Sequence, residues 1–257
     1  MYPQIKLSDT MYLSMYSTFY VLAMVIAVVI VYLEVRRHKN LFKSGSNLLN
    51  EALQGAFWTI LSGLIGSKIL FILMNHAHDF LKHPVELITR SGGYVYYGAE
   101  ISGILGLMIY LKIRKLPVLT SLDTGSIALA AAHGFGRIGC FMAGCCGGVP
   151  TDSPLGVCFP DNPHVAVHPT QLYETIPLLL FATVIWIYRK RIRVPGRITS
   201  LYLMTYGVIR FIIEVYRETA YPFGFLNISP NQYIATLQFC MGAVLFVITT
   251  KLASKHS

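Results

Sequence analysis

The chain has 257 residues, of which 54% are hydrophobic and only 13% charged, whereas a soluble domain carries about a quarter charged residues. A formal net charge of +9 would suit nucleic acid in a soluble protein. Here the basic residues fall in short clusters between apolar runs, where they set membrane topology and meet anionic headgroups, so a nucleic-acid partner is excluded and an all-α polytopic membrane protein is expected.

In chain order, residues 1–15 are a polar, tyrosine-bearing lead-in, and residues 16–35 form the first predicted span, long enough to cross ~30 Å of hydrocarbon. Arg36, Arg37, His38, Lys39 and Lys43 follow at once. A cleaved signal peptide has its basic cluster before the apolar run and a small-residue cleavage site after it. The order here is reversed, so the span is read as retained with its amino end outside. The second predicted span covers residues 52–74 and embeds Lys68. A mixed-charge loop follows, whose His76, His78 and His83 read as a solvated face rather than a metal site. The third run covers residues 92–113 and meets Lys112, Arg114 and Lys115; the fourth covers residues 122–142. Its glycines and Asp123 would also suit a broken or re-entrant helix beside a water-filled cavity.

Residues 144–170 form a long loop without a lysine or arginine, containing Asp152, Asp161, His164 and His168. The fifth span, residues 172–188, ends in Arg189, Lys190, Arg191, Arg193 and Arg197; the sixth covers residues 199–216, and the seventh residues 232–250, before Lys251 and Lys255. Basic clusters after spans one, three, five and seven alternate with neutral or mixed loops. Short basic loops stay cytoplasmic, so the pattern predicts seven spans, amino terminus out and carboxyl terminus in. No internal repeat or linker is visible, and a single domain over residues 1–257 is expected.

Against that topology the charged residues inside spans become informative. Lys68, Glu100, His133, Arg137, Arg210 and Glu214 lie at or within apolar runs, where ionisable side chains are costly and mark functional cavities. Arg137 stands within a glycine-laced stretch, His133-Gly-Phe-Gly-Arg-Ile-Gly-Cys-Phe-Met-Ala-Gly-Cys-Cys-Gly-Gly148. It reads either as an anion-binding arginine in an intramembrane cavity or as one snorkelling its head to the interface. Arg210 and Glu214 are spaced i, i+4, on one helical face, able to neutralise each other or to present a cation and a base to a cavity. Arg217 lies further along the same helix. Arginines gathered near the outer end of the bundle describe a phosphate pocket, because guanidinium forks match phosphate oxygens. A lipid headgroup is the first phosphate to consider.

Four ordered segments carry a family resemblance: Gly92-Gly-Tyr-Val-Tyr-Tyr-Gly98, Gly136-Arg-Ile-Gly139, His168-Pro-Thr-Gln-Leu-Tyr-Glu174, and Tyr206-Gly-Val-Ile-Arg-Phe-Ile-Ile-Glu-Val-Tyr-Arg-Glu218. Together they resemble the signature segments of bacterial prolipoprotein diacylglyceryl transferases, over most of the chain from about residue 55 to 250. The resemblance implies seven spans in the bacterial inner membrane and transfer of a diacylglyceryl group from phosphatidylglycerol to the lipobox cysteine of a prolipoprotein. Glycerol phosphate is released. Arg137 and Arg210 match the family's essential arginines, Glu214 the acidic residue one turn beyond, and Tyr97 the His or Tyr before the glycines. Gly148 matches the glycine that ends the loop motif, and Lys68 stands where the family usually has arginine. Lys68, Gly98, Gly148, Gln171, Tyr173, Glu174 and Arg217 are the implied substrate-binding set, and the base that takes the thiol proton is one of Tyr97, His133 and His168. No cofactor is expected, and the protein is expected to act as a monomer.

The chain departs from the family after Arg-Ile-Gly, where asparagine is usual and Cys140 stands here; Cys145, Cys146 and Cys158 follow, so four of the five cysteines fall within 19 residues. Three readings stand: a disulfide from Cys145 or Cys146 to Cys158, or plain buried thiols; a catalytic role for Cys140, Cys145 or Cys146; or metal binding with His164 and His168 nearby. A related phospholipid-dependent transferase with another acceptor, and a transporter, are the alternative functions.

Overall fold

The computed structural model describes residues 4–6, 12–41, 47–75, 87–88, 93, 95–160, 162–217 and 228–255. His76, His78, His83 and Asp161 lie outside the described residues, as do most of the glycine–tyrosine segment before residue 95 and the side chain of Tyr97. Seven long helices carry the fold: α1 (Met15–Arg37), α2 (Leu48–Asn75), α3 (Tyr96–Arg114), α4 (Val118–Ala143), α5 (Thr170–Tyr188), α6 (Arg197–Glu214) and α7 (Pro230–Lys255). Two short antiparallel pairs accompany them. β1 (Gln4–Lys6) pairs with β2 (Tyr12–Ser14), and β3 (Val157–Phe159) with β4 (Asn162–Val167).

Five helices, α1, α2, α4, α5 and α7, are long and apolar enough to cross a membrane. The other two carry more charge: Glu100, Lys112 and Arg114 on α3, and Arg197, Arg210 and Glu214 on α6. The mostly helical membrane protein expected from composition is therefore present. The helices α3 and α6 have the length of spans without the apolarity.

The chain groups into two compact units, residues 32–121 and residues 1–31 with 122–257. In the first, α2 and α3 lie against each other along a seam of small residues. A methyl on Gly98 would come within 2.5 Å of the Gly66 carbonyl and 2.8 Å of Leu70 Cβ, and one on Gly63 within 3.2 Å of the Ala99 carbonyl. Such seams let helix backbones approach where lipid offers no hydrophobic drive for association. Beyond the seam, the buried Glu51 accepts a hydrogen bond from Tyr110 Oη at 2.8 Å and is bridged by Arg114.

The second unit holds α4–α7 and α1 as far as Val31. Small residues of α4 (Ala130, Ala131) meet Leu178 and Ala182 of α5 and Tyr202 and Tyr206 of α6, with Ile26 and Ile30 of α1 packed on the outside. The fourth helix is continuous from Val118 to Ala143, as a span, and the alternative of a broken helix is not realised. Asp123 has a different duty. Its carboxylate accepts hydrogen bonds from the Gly196 and Thr199 amides and the Thr199 hydroxyl, each at 2.7 Å. It thus satisfies the first amides of α6, which its own neighbour Gly196 cannot cap.

Candidate active site

The site is built from three helices of the second unit. On α4, His133 and Arg137 are one turn apart; on α6, Tyr206, Arg210 and Glu214 repeat every four residues and so share a face. Between them Glu174 projects from α5, its side chain 1% exposed. Its Oε1 accepts a hydrogen bond from Tyr206 Oη at 3.0 Å and lies 3.3 Å from His133 Nε2, while Oε2 lies 2.8 Å from Arg137 Nε. Arg210 is close enough to act electrostatically on both Glu174 and His133. Arg137 is therefore paired with this buried carboxylate, and Arg210, from a different helix, lies within electrostatic range of it.

Arg210 is held separately. Its Nη2 pairs with Glu214 Oε2 at 2.9 Å, and Glu214 Oε1 accepts from Asn231 Nδ2 at 2.6 Å and Ser229 Oγ at 3.2 Å. Mutual neutralisation alone would leave the pair inert. Instead Arg210 Nη1 is buried without a hydrogen-bond partner, and a buried unpaired donor is costly unless something fills the space before it. The Arg137 contact is likewise one of charge rather than an aligned hydrogen bond. Each guanidinium thus faces a carboxylate, and Arg210 keeps one buried donor, Nη1, without a partner.

The cysteine loop is fixed by the third of the four segments, His168–Glu174. Thr170 Oγ1 donates to the Cys146 carbonyl at 2.9 Å and Gln171 Nε2 to the Cys145 carbonyl at 2.6 Å. The Gly148 amide donates to His168 O at 2.8 Å and the Val149 amide to Tyr216 O at 3.0 Å. A methyl on Gly148 would overlap the Tyr216 carbonyl and press on Thr170 and His168, which explains why glycine ends the loop. Cys146 adopts a left-handed backbone, φ 64°, an uncommon state for a residue with a side chain.

All five cysteines are free thiols, so the disulfide to Cys158 is not formed, and Cys145, Cys146 and Cys158 are exposed rather than buried. Cys158 is occupied in β3 opposite Ala166, whereas Cys145 and Cys146 gather with Cys140. The hydrogen bond from the Cys140 thiol, a second from Cys145, and the charges of Arg137 and Arg217 bring the Cys146 thiol down to about 5 despite partial burial.

Other expected residues lie elsewhere. His168 Nδ1 is 3.1 Å from Tyr173 Oη, and its ring lies 4.9 Å from that of Tyr216, tilted by 60°. The three line an apolar groove of about 520 Å³ with Pro177, Ile209 and Ile213, and His168 is not among the partners of Glu174. His164 is exposed on β4. Lys68, with its ammonium 5.7 Å from the Phe71 ring centre, and Gly98 belong to the other unit. Sequence reasoning placed Glu174 in a substrate-binding motif but missed that it is the hub, and it missed Tyr206, Ser229, Asn231 and Thr170. Tyr206 carried a signal, its four-residue spacing from Arg210; the serine and asparagine at the start of α7 carried none.

The profile of the family described as Prolipoprotein diacylglyceryl transferase matches residues 4–248. Among curated relatives, the phosphatidylglycerol–prolipoprotein diacylglyceryl transferase of Clostridium tetani is 35% identical over 83% of this chain and 85% of its own. An enzyme of Clostridium perfringens, numbered 2 under the same name, is 32% identical over 77% and 78%. That of Desulfotalea psychrophila is 30% identical over 90% and 87%. With the profile spanning nearly the whole sequence, the chain belongs to the prolipoprotein diacylglyceryl transferase family.

Proposed function

We propose that this transferase takes the diacylglyceryl group of phosphatidylglycerol and attaches it to the lipobox cysteine of a prolipoprotein. The observation that carries the reading is a buried cluster in which Arg137 pairs with Glu174 and Arg210 with Glu214, and in which Arg210 Nη1 has no hydrogen-bond partner. In the reaction the thiol sulfur attacks the glyceryl carbon that bears the phosphate. A C–S bond forms, the C–O bond breaks, and the electron pair leaves on the phosphate as glycerol phosphate. Charge builds on that phosphate in the transition state, where fixed guanidinium groups in a water-poor site stabilise it most.

Glu214, braced by Ser229 and Asn231, holds Arg210 in place, and Glu174 holds Arg137. His133, 3.3 Å from Glu174, takes the thiol proton, with the carboxylate stabilising the imidazolium that forms. The groove along α5 and α6 suits an acyl chain by its apolar lining. All seven helices span the inner membrane in this reading, α3 and α6 included, because Arg114 of α3 is paired with Glu51 of α2, and Arg210 of α6 with Glu214, rather than left bare to lipid. The amino terminus lies outside, the carboxyl terminus in the cytoplasm, and the protein acts as a monomer.

Detergent-purified protein given labelled phosphatidylglycerol and a lipobox peptide should yield lipidated peptide. Arg137→Ala should lower that rate at least ~10²-fold in protein that still folds but melts at a lower temperature, because buried Glu174 loses its partner; wild-type protein that forms no product, or a variant that keeps its rate, would refute the reading.

A further inference from the structure

Among the described residues, one group has the composition of a metal site: the Sγ atoms of Cys140, Cys145 and Cys146 all lie within 4.8 Å of one another. A zinc ion binds thiolate at about 2.3 Å, which places sulfurs in a tetrahedral shell roughly 3.8 Å apart. The cluster therefore needs only small side-chain adjustments to close on a cation. Its backbone is held for that purpose, since the Gln171 and Thr170 side chains bind the carbonyls of Cys145 and Cys146, and Cys140 is fixed on the last turns of α4.

We propose that Cys140, Cys145 and Cys146 hold a zinc ion as three thiolates, with the fourth position open to the acceptor's cysteine thiol. This rests on the transferase reading above and deepens it. Three protein ligands with one side open is the pattern of catalytic zinc, whereas structural zinc is closed by four. The openness is visible here: Cys145 and Cys146 are exposed and Cys140 half-buried. Charge agrees as well. Three thiolates around a dication make a complex of net charge −1, which the nearby Arg137 and Arg217 guanidiniums favour.

The chemistry also agrees, because the reaction alkylates a thiol and a thiol bound to zinc gives up its proton outright. The acceptor's S–H proton passes through water to His133. The zinc-bound sulfur then forms the C–S bond, and the C–O bond to phosphate breaks as before. No oxidant or reductant is consumed. The thioether product is a weaker ligand than thiolate and leaves the metal.

The test is elemental analysis of the full-length detergent-purified protein, followed by cobalt substitution. About one zinc per chain is expected, lost in Cys145→Ser and in Cys140→Ser and kept in Cys240→Ser. The cobalt protein should show thiolate-to-metal charge-transfer absorption that changes when a lipobox peptide is added and stays unchanged with its cysteine-to-serine analogue. A variant-free arm guards against misfolding: chelation of wild-type protein should lower transfer at least tenfold, and zinc should restore it. Metal-free protein that transfers at the full rate, or a disulfide among the three cysteines in active protein, overturns the zinc site and leaves the transferase reading intact. Zinc bound with no lipidated peptide under any condition overturns the role in transfer together with that reading.

Discussion

A carboxylate 1% exposed, such as Glu174, is tolerable only when its charge is matched, because desolvating an ion costs several kcal/mol. Arg137, His133 and Tyr206 supply that match from two helices. The same physics makes Cys146 unusual: hydrogen bonds from Cys140 and Cys145 and the positive charge of Arg137 and Arg217 lower its thiol to about 5. A lowered value means the thiolate already prevails above pH 6. In reduced, chelator-treated protein, alkylation of Cys146 by a neutral reagent should therefore be nearly flat from pH 6 to 8, while an ordinary thiol gains about tenfold per pH unit over that range. Peptide mapping of the alkylated protein checks this, and a Cys146 rate that climbs with pH like that of a free thiol contradicts it. Arg137, Arg210 and Glu214 were legible in the sequence because a charge inside an apolar run announces itself. Glu174 was legible as part of a motif but not as a hub, since its partners come from residues 133, 137 and 206 and meet it only through the packing of α4 and α6 on α5.

The elements show where local pattern suffices and where it fails. Apolar length located every helix core, and ends differ by a few residues because polar residues such as Thr170 and Arg197 continue the first turn. The β3–β4 pair went unseen in a loop read from charge alone, as strands of three and six residues leave too short an alternation to register. Asp123 misled for a related reason. An acidic residue early in an apolar run suits a broken helix, yet here it serves the start of another helix across the core. Asp123→Ala removes three hydrogen bonds to a buried carboxylate, at a cost on the order of 2 kcal/mol. Thermal unfolding should fall by about 4–8 °C with the per-molecule transfer rate at low temperature little changed. An unaltered melting curve would show that α6 does not depend on this contact.

For the whole molecule, five helices are apolar enough to span a membrane and two owe their lower apolarity to charges. On α6 those charges are Arg210 and Glu214, the residues of the site. In the proposed arrangement the buried pairing of Arg210 with Glu214 is why a span can carry them, and the topology follows the basic clusters. Single cysteines introduced at residues 3 and 254 of a cysteine-free variant should be labelled from outside and inside respectively by an impermeant reagent; the reverse pattern would overturn the proposed topology.

In the proposed mechanism Arg137 and Arg210 act together on one lipid phosphate. Transfer rates of Arg137→Ala, Arg210→Ala and the double variant, measured with one phosphatidylglycerol and one lipobox peptide in the same vesicles, test it most directly. The account predicts that each single change lowers the rate about 10²-fold or more and that the double variant is far less impaired than the product of the two, because groups acting as a unit are non-additive. Losses that multiply independently, or either single variant retaining more than half the wild-type rate, would contradict it.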